Sequence, residues 1–184
     1  MSQEPTAFAL PEPCTVRAEQ LALRPWLPTD APALAAIADD PLMVQWSPLL
    51  RSDEGVDIWI EKRLRWTDHM SWAIVDDADA ILGGMSVFQF DAPNANAVLG
   101  YWVSPLHRGK GIAPRAAVMA AEFAFAALPI ERITLFHAIE NEGSCRVANK
   151  AGFTFEGTTR KSWRYVDGNL HDEHIHALLR TDLH

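Results

Sequence analysis

Hydrophobic and polar positions change period several times along the chain, and each change marks an element. Leu21 to Trp26 reads as a first strand. Pro28-Thr29-Asp30 then reads as a helix start, and Leu34, Ile37 and Ala38 recur at helical spacing until Asp40-Pro41 stops the pattern. Val56, Trp59, Ile60, Arg63 and Leu64 form one stripe, predicting a second helix from Asp53 to about Thr67. After that, Trp72 to Val75, Ile81 to Phe90 and Ala97 to Val103 read as strands of a meander, separated by Asp76-Asp77-Ala78-Asp79 and Asp91-Ala92-Pro93-Asn94. Ile112 to Leu128 is helical and apolar nearly all round, which predicts a central buried helix ended by Pro129. A strand at Arg132 to Ala138 and a short helix from about Gly143 to Lys150 follow. Two last strands, around Thr154 to Trp163 and His171 to Leu179, flank the turn Asp167-Gly168-Asn169. The order is mixed α/β with a long antiparallel section, and Met1 to Glu12 is expected to be loosely ordered.

Composition narrows the class. The 184 residues, 48% hydrophobic and 22% charged, fit one domain with its own core and exclude global disorder. Sixteen Lys plus Arg against 24 Asp plus Glu leave a net charge of −8, which repels nucleic acid and suits a cationic substrate. The start of the chain lacks a basic segment followed by an apolar one, and the run Ala116 to Ile130 is short and broken by Glu122. A soluble, cytoplasmic protein without a membrane partner is expected. Cys14 and Cys145 have neither metal nor disulfide spacing, so two free thiols are expected. His171, His174 and His176 with Asp172 fit neither a helical His pair nor a zinc pattern. They are expected on a polar strand face, with no metal.

Candidate chemistry concentrates in Tyr101-Trp102-Val103-Ser104-Pro105-Leu106-His107-Arg108-Gly109-Lys110-Gly111-Ile112-Ala113-Pro114-Arg115. A strand runs into a glycine-rich turn and directly into a helix, so backbone N–H groups converge with the positive end of a helix dipole, which is a geometry for phosphate. Gly109 and Gly111 permit close approach, and Arg108, Lys110 and Arg115 add charge. A Walker loop is absent. A dinucleotide fingerprint fits poorly, because the third glycine is missing even though Glu131 lies near the required distance. A second segment, Asn141-Glu142-Gly143-Ser144-Cys145-Arg146-Val147-Ala148-Asn149-Lys150-Ala151-Gly152-Phe153, carries its own local logic. Asn141 can cap the helix, Gly152 can take the left-handed conformation at its end, and Phe153 returns to the core.

Both segments resemble the GNAT superfamily of N-acetyltransferases. Arg108-Gly109-Lys110-Gly111-Ile112-Ala113 is similar to its Arg/Gln-x-x-Gly-x-Gly/Ala loop. The segment from Asn141 to Phe153 is similar to its Asn-x-x-Ser-x-x-Val-x-x-Lys-x-Gly-Phe segment. Gly100-Tyr101-Trp102-Val103 and Leu23-Arg24-Pro25 resemble the Rim-type branch, which acetylates ribosomal-protein N-termini. The resemblance covers roughly Leu21 to Leu179. It implies one acyl-coenzyme A N-acyltransferase domain over residues 1–184, with residues 1–20 a partly ordered extension. The implied fold is a mostly antiparallel, splayed central sheet flanked by about four helices. Members of the branch often pair, so a homodimer enters as an expectation from the resemblance alone.

The resemblance also implies roles. Acetyl-coenzyme A is the expected co-substrate, held by Val103, Arg108, Gly109, Lys110, Gly111, Ile112, Ala113, Asn141 and Asn149. The backbone N–H near Tyr101 would polarise the thioester carbonyl, and Ser144 would face the sulfur. Many members place a tyrosine general acid where Ala148 stands, which leaves Ser144 as the replacement candidate. Some carry a glutamate base where Val98 stands, and no carboxylate occurs near Trp163-Arg164. No base is assigned among Glu140, His137 and a water chain. Trp46, Trp59 and Trp66 lie around the helices that border the acceptor groove in this family; Trp46 and Trp59 are carried as substrate-binding residues. The implied reaction is acetyl transfer to a primary amine, such as a ribosomal or other protein N-terminus. The alternatives are a small-molecule amine or antibiotic acceptor, a succinyl donor, or a coenzyme A-binding module impaired in catalysis.

Overall fold

The computed structural model describes residues 7–46 and 55–183. Eight strands form one sheet in the order β1-β2-β3-β4-β5-β6-β8-β7. They are β1 Val16–Ala18, β2 Leu21–Pro25, β3 His69–Val75, β4 Ile81–Asp91, β5 Asn96–Val103, β6 Arg132–Ala138, β7 Thr154–Arg164 and β8 Leu170–Leu179. All neighbours pair antiparallel except β5 and β6. A parallel pair needs a long crossover, and here it is α4, Ile112–Ala127. The other helices among the described residues are α1 Ala31–Ala38, α2 Pro41–Trp46, α3 Gly55–Glu61 and α5 Glu142–Lys150.

The all-round apolar α4 matches this architecture, because it packs among Leu23, Ile74, Val87, Leu99 and Ile133 in the larger core; β3 is buried on both faces, with Met70, Trp72 and Ile74 in that core and Ala73 and Val75 in a second. The second core, on the other side, gathers Trp26, Leu34, Met43, Trp59, Ile60 and Trp102 under α1 to α3.

Boundaries differ from expectation in four places. The expected first helix is a short 3-10 turn at Pro28–Asp30 followed by α1. Asp40 then starts α2, an element the periodicity did not reveal, by accepting the Met43 N–H at 3.0 Å. The start of the second helix at Asp53 lies outside the described residues. Its end comes at Glu61, where Arg63 N–H donates to Ile60 O and tightens the chain into a turn. β1, also unforeseen, forms a hairpin with β2. Within the described part of the tail expected to be loose, Phe8 instead packs edge-on against Phe90 at 6.0 Å, and just beyond it the Trp72 indole donates to Cys14 O at 3.1 Å. Both cysteines are free. Among the described residues no helix is long and apolar enough to cross a membrane.

Candidate active site

β5 and β6 stay together for only three residue pairs, Asn96 to Val98 against Arg132 to Thr134. Beyond them β5 remains bonded to β4 while β6 remains bonded to β8, so the two strands part. The wedge holds a cavity of about 640 Å³ with Val103 on one wall and Leu135 on the other. Facing strand edges that are not paired with each other offer backbone groups to an extended ligand.

The helix dipole of α4 is aimed into this wedge. Gly111 caps α4 with φ +73°, and Gly109 has φ +77°. A Cβ at either position would meet nothing within 4 Å, so the left-handed backbone is what asks for glycine, and the open space lets a ligand approach. Gly109, Gly111, Ile112 and Ala113 all line the cavity.

Side-chain charge is arranged differently from expectation. Arg108 reaches the cavity wall, but its guanidinium pairs with Asp40 and its Nε donates to Val103 O at 3.1 Å. That pairing holds the Asp40 carboxyl below its usual range. Lys110 and Arg115 are exposed and stand outside the lining, whereas Lys150 and Arg146 belong to it. An anion held here would meet backbone N–H groups first.

On the opposite wall, the Asn141 carboxamide accepts the Ser144 N–H at 3.1 Å and caps α5, as its position in the sequence predicts. Gly152 has φ +83°, and Phe153 N–H donates back to Ala148 O at 3.0 Å, closing the helix. The cap holds Ser144 at the cavity, where its Oγ accepts a hydrogen bond from the Tyr101 hydroxyl at 2.9 Å. Burial pushes the Tyr101 phenol up to about 12. The sequence singled out Tyr101 for its backbone; the phenol's contact with Ser144 spans 43 positions and no local pattern shows it.

Of the remaining candidates, Trp46 lines the cavity and meets Tyr165 edge-on at 5.6 Å. Tyr165 was not foreseen; its hydroxyl donates to Glu173 at 3.0 Å, and burial raises its pKa. Glu140 also lines the cavity and pairs with His171 at 3.3 Å. Four candidates lie elsewhere. Asn149 is exposed and turned toward Cys145, and Lys110 faces solvent. Trp59 is 5% exposed in the second core, edge-on to Trp26 at 5.1 Å with Arg63 over its ring at 3.7 Å. Trp66 is likewise buried, edge-on to Trp72 at 4.7 Å. His174 and His176 do not form a polar strand face: His176 is completely buried and faces His137.

An acetyltransferase (GNAT) domain model matches residues 20–154. The chain belongs to the GNAT acetyltransferase family. Two Bacillus subtilis proteins are similar to this GNAT chain. The probable N-acetyltransferase YjcK is 35% identical over 105 residues, 56% of this chain and 58% of that one. The putative ribosomal N-acetyltransferase YdaF is 33% identical over 103 residues, 56% of each. The matches thus span little more than half the length of these curated relatives. In structure, Mycobacterium smegmatis RimJ in complex with CoA-disulfide superposes with a TM-score of 0.79 at 26% identity, covering 94% of this chain and 89% of that one. The splayed, mostly antiparallel sheet is the GNAT fold.

Proposed function

We propose that this chain transfers the acetyl group of acetyl-coenzyme A directly to a primary amine, and that the acceptor is the N-terminus of a protein. The single observation that carries the reading is the wedge between β5 and β6, with the α4 N-terminus at one end and the Tyr101–Ser144 pair on its walls. The N–H groups around Gly111 to Ala113 bind the diphosphate, and the open edge of β5 near Val103 pairs with the pantetheine arm. The backbone N–H near Tyr101 stabilises negative charge developing on the thioester oxygen. Ser144, whose Oγ accepts from Tyr101, is free to donate its own proton toward the leaving sulfur. A thiol pKa of about 8.5 means that only modest acid help is required. An α-amine with a pKa of about 8 is about one-tenth neutral at pH 7, so the acceptor needs little base; Glu140, which lines the cavity, is our candidate to take its proton. Trp46 and Tyr165 form an aromatic wall suited to the first side chains of a peptide.

The similarity to YdaF, named a putative ribosomal N-acetyltransferase, supports a protein acceptor. The test is single-turnover transfer from labelled acetyl-coenzyme A to ribosomal-protein N-terminal peptides, polyamines and aminoglycosides, with succinyl-coenzyme A run in parallel. Peptide turnover well above that of the other amines is expected. Exclusive use of a small amine sinks the acceptor assignment, and binding of the thioester without transfer to any amine sinks the enzyme assignment.

A further inference from the structure

The sheet face beneath α5 gathers four metal-binding side chains to which the proposed acyl transfer gives no role, although one of them, His137, also lines the cavity. His137 comes from β6, His174 and His176 from β8, and Cys145 from the first turns of α5. One ligand atom from each lies within 4.8 Å of all the others. The register explains the convergence. His137 is the cross-strand partner of His174, His176 follows two residues on along the same strand face, and α5 lays Cys145 over them. Phe155 on β7 packs on His174 and His176, with ring centroids 4.9 and 5.4 Å away.

The two buried imidazoles meet nitrogen to nitrogen, with Nε2 of His137 and Nε2 of His176 at 3.2 Å. His137 Nδ1 lies 2.8 Å from Ala138 O. A carbonyl can only accept, so Nδ1 carries the proton and Nε2 presents a lone pair to the cluster, the arrangement that backbone carbonyls impose on metal-bound histidines. Two nitrogens bound to one tetrahedral ion at 2.0–2.1 Å stand about 3.3 Å apart, close to the observed separation. His174 and His176 each keep a buried Nδ1 without a hydrogen-bond partner. The Asn149 amide reaches Cys145 Sγ at 3.8 Å, a donor placed to support a thiolate. His174 and Cys145 are only half-buried, so side-chain rotation can close the rest of the distance and an ion can enter past them.

We infer that His137, His174, His176 and Cys145 form a closed four-ligand site for a zinc-class divalent ion, tying the first turn of α5 to β6 and β8. Three imidazoles and one thiolate suit a borderline-soft tetrahedral ion and exclude magnesium or calcium, which take oxygen ligands. With four protein ligands the ion keeps no water, so its role is structural. On binding, the Cys145 sulfhydryl releases its proton to solvent and the sulfur bonds to the metal, with no change of oxidation state.

The test uses the untagged full-length protein, stripped with chelator and titrated with cobalt(II), then with zinc. One cobalt per chain is expected, with a thiolate-to-cobalt band and intense tetrahedral visible bands that one equivalent of zinc abolishes. Cys145→Ser should remove the thiolate band, and His174→Ala should weaken binding at least about 100-fold. Neither ligand is fully buried, so both variants should fold, which circular dichroism checks. Weak octahedral cobalt spectra, or binding that is unchanged in both variants, overturn the site.

Discussion

The Tyr101 hydroxyl donates to Ser144 Oγ at 2.9 Å, joining the separated edge of β5 to the first turn of α5. Ala148, at the position where the family resemblance implies a tyrosine acid, is completely buried; the phenols that line the cavity come instead from Tyr101 on β5 and from Tyr165 at the β7–β8 turn. On the proposed mechanism Ser144→Ala lowers kcat about 10- to 100-fold, the lower end of acid catalysis because a thiolate leaves easily. Tyr101→Phe costs about 5-fold, the worth of one hydrogen bond. Steady-state kinetics checks both, with KM for acetyl-coenzyme A staying within about two-fold.

Gly111→Asp should abolish most coenzyme binding. Its φ of +73° adds strain of about 1–2 kcal/mol for any side chain, while the carboxylate repels the diphosphate at the helix N-terminus. Gly111→Ala carries the strain without the charge. Thermal stabilisation by acetyl-coenzyme A should be nearly absent in the Asp variant and retained in part by the Ala variant.

Asp40 ties α2 to the cofactor loop through Arg108 and caps α2 with the same side chain. Asp40→Asn keeps the cap and weakens the ion pair. The expected result is a several-fold rise in KM for acetyl-coenzyme A with little loss of melting temperature, measured by kinetics and calorimetry in parallel.

The two tryptophans proposed from sequence should separate. Trp59→Ala removes a buried ring from the second core and should cost about 3–5 kcal/mol in denaturant unfolding. Trp46→Ala should cost about 1 kcal/mol or less and instead raise the acceptor KM, since Trp46 stands on the cavity wall.

His171 lies 2.9 Å from Asp167 and 3.3 Å from Glu140, and Asp167 first, then Glu140, raises its pKa above 6.5. Asp167 is pushed down to about 2, chiefly by the Asn169 backbone N–H and then by His171. A raised histidine stabilises the fold fully below its unfolded value and loses that contribution as pH rises through the folded one. A depressed aspartate contributes above its unfolded value of about 3.9 and loses it as pH falls toward about 2. The clasp at the β7–β8 turn is therefore strongest from about pH 4 to about pH 6.5 and weakens as pH rises through the His171 midpoint. Titration of the His171 imidazole by NMR should give a midpoint above 6.5 that drops back in Asp167→Asn.

Local spacing determined a great deal. The strands β4 and β5 between their turn clusters, the all-round apolar α4, the glycines that begin α4 and the Asn141 cap with its Gly152 stop were all legible, because each depends on residues within a few positions of one another. The same two motifs carried the family. α2 escaped because six residues carry too little periodicity, although Asp40-Pro41 marked its start. Only the tertiary structure decided that Tyr101 meets Ser144, that Asp40 takes the Arg108 charge, that Trp59 packs in a core and that four metal-binding side chains share one face. The contacts among these that join different elements span from 8 to 68 positions. They follow from strand register and helix placement, which packing of the whole core sets and no short window of sequence contains.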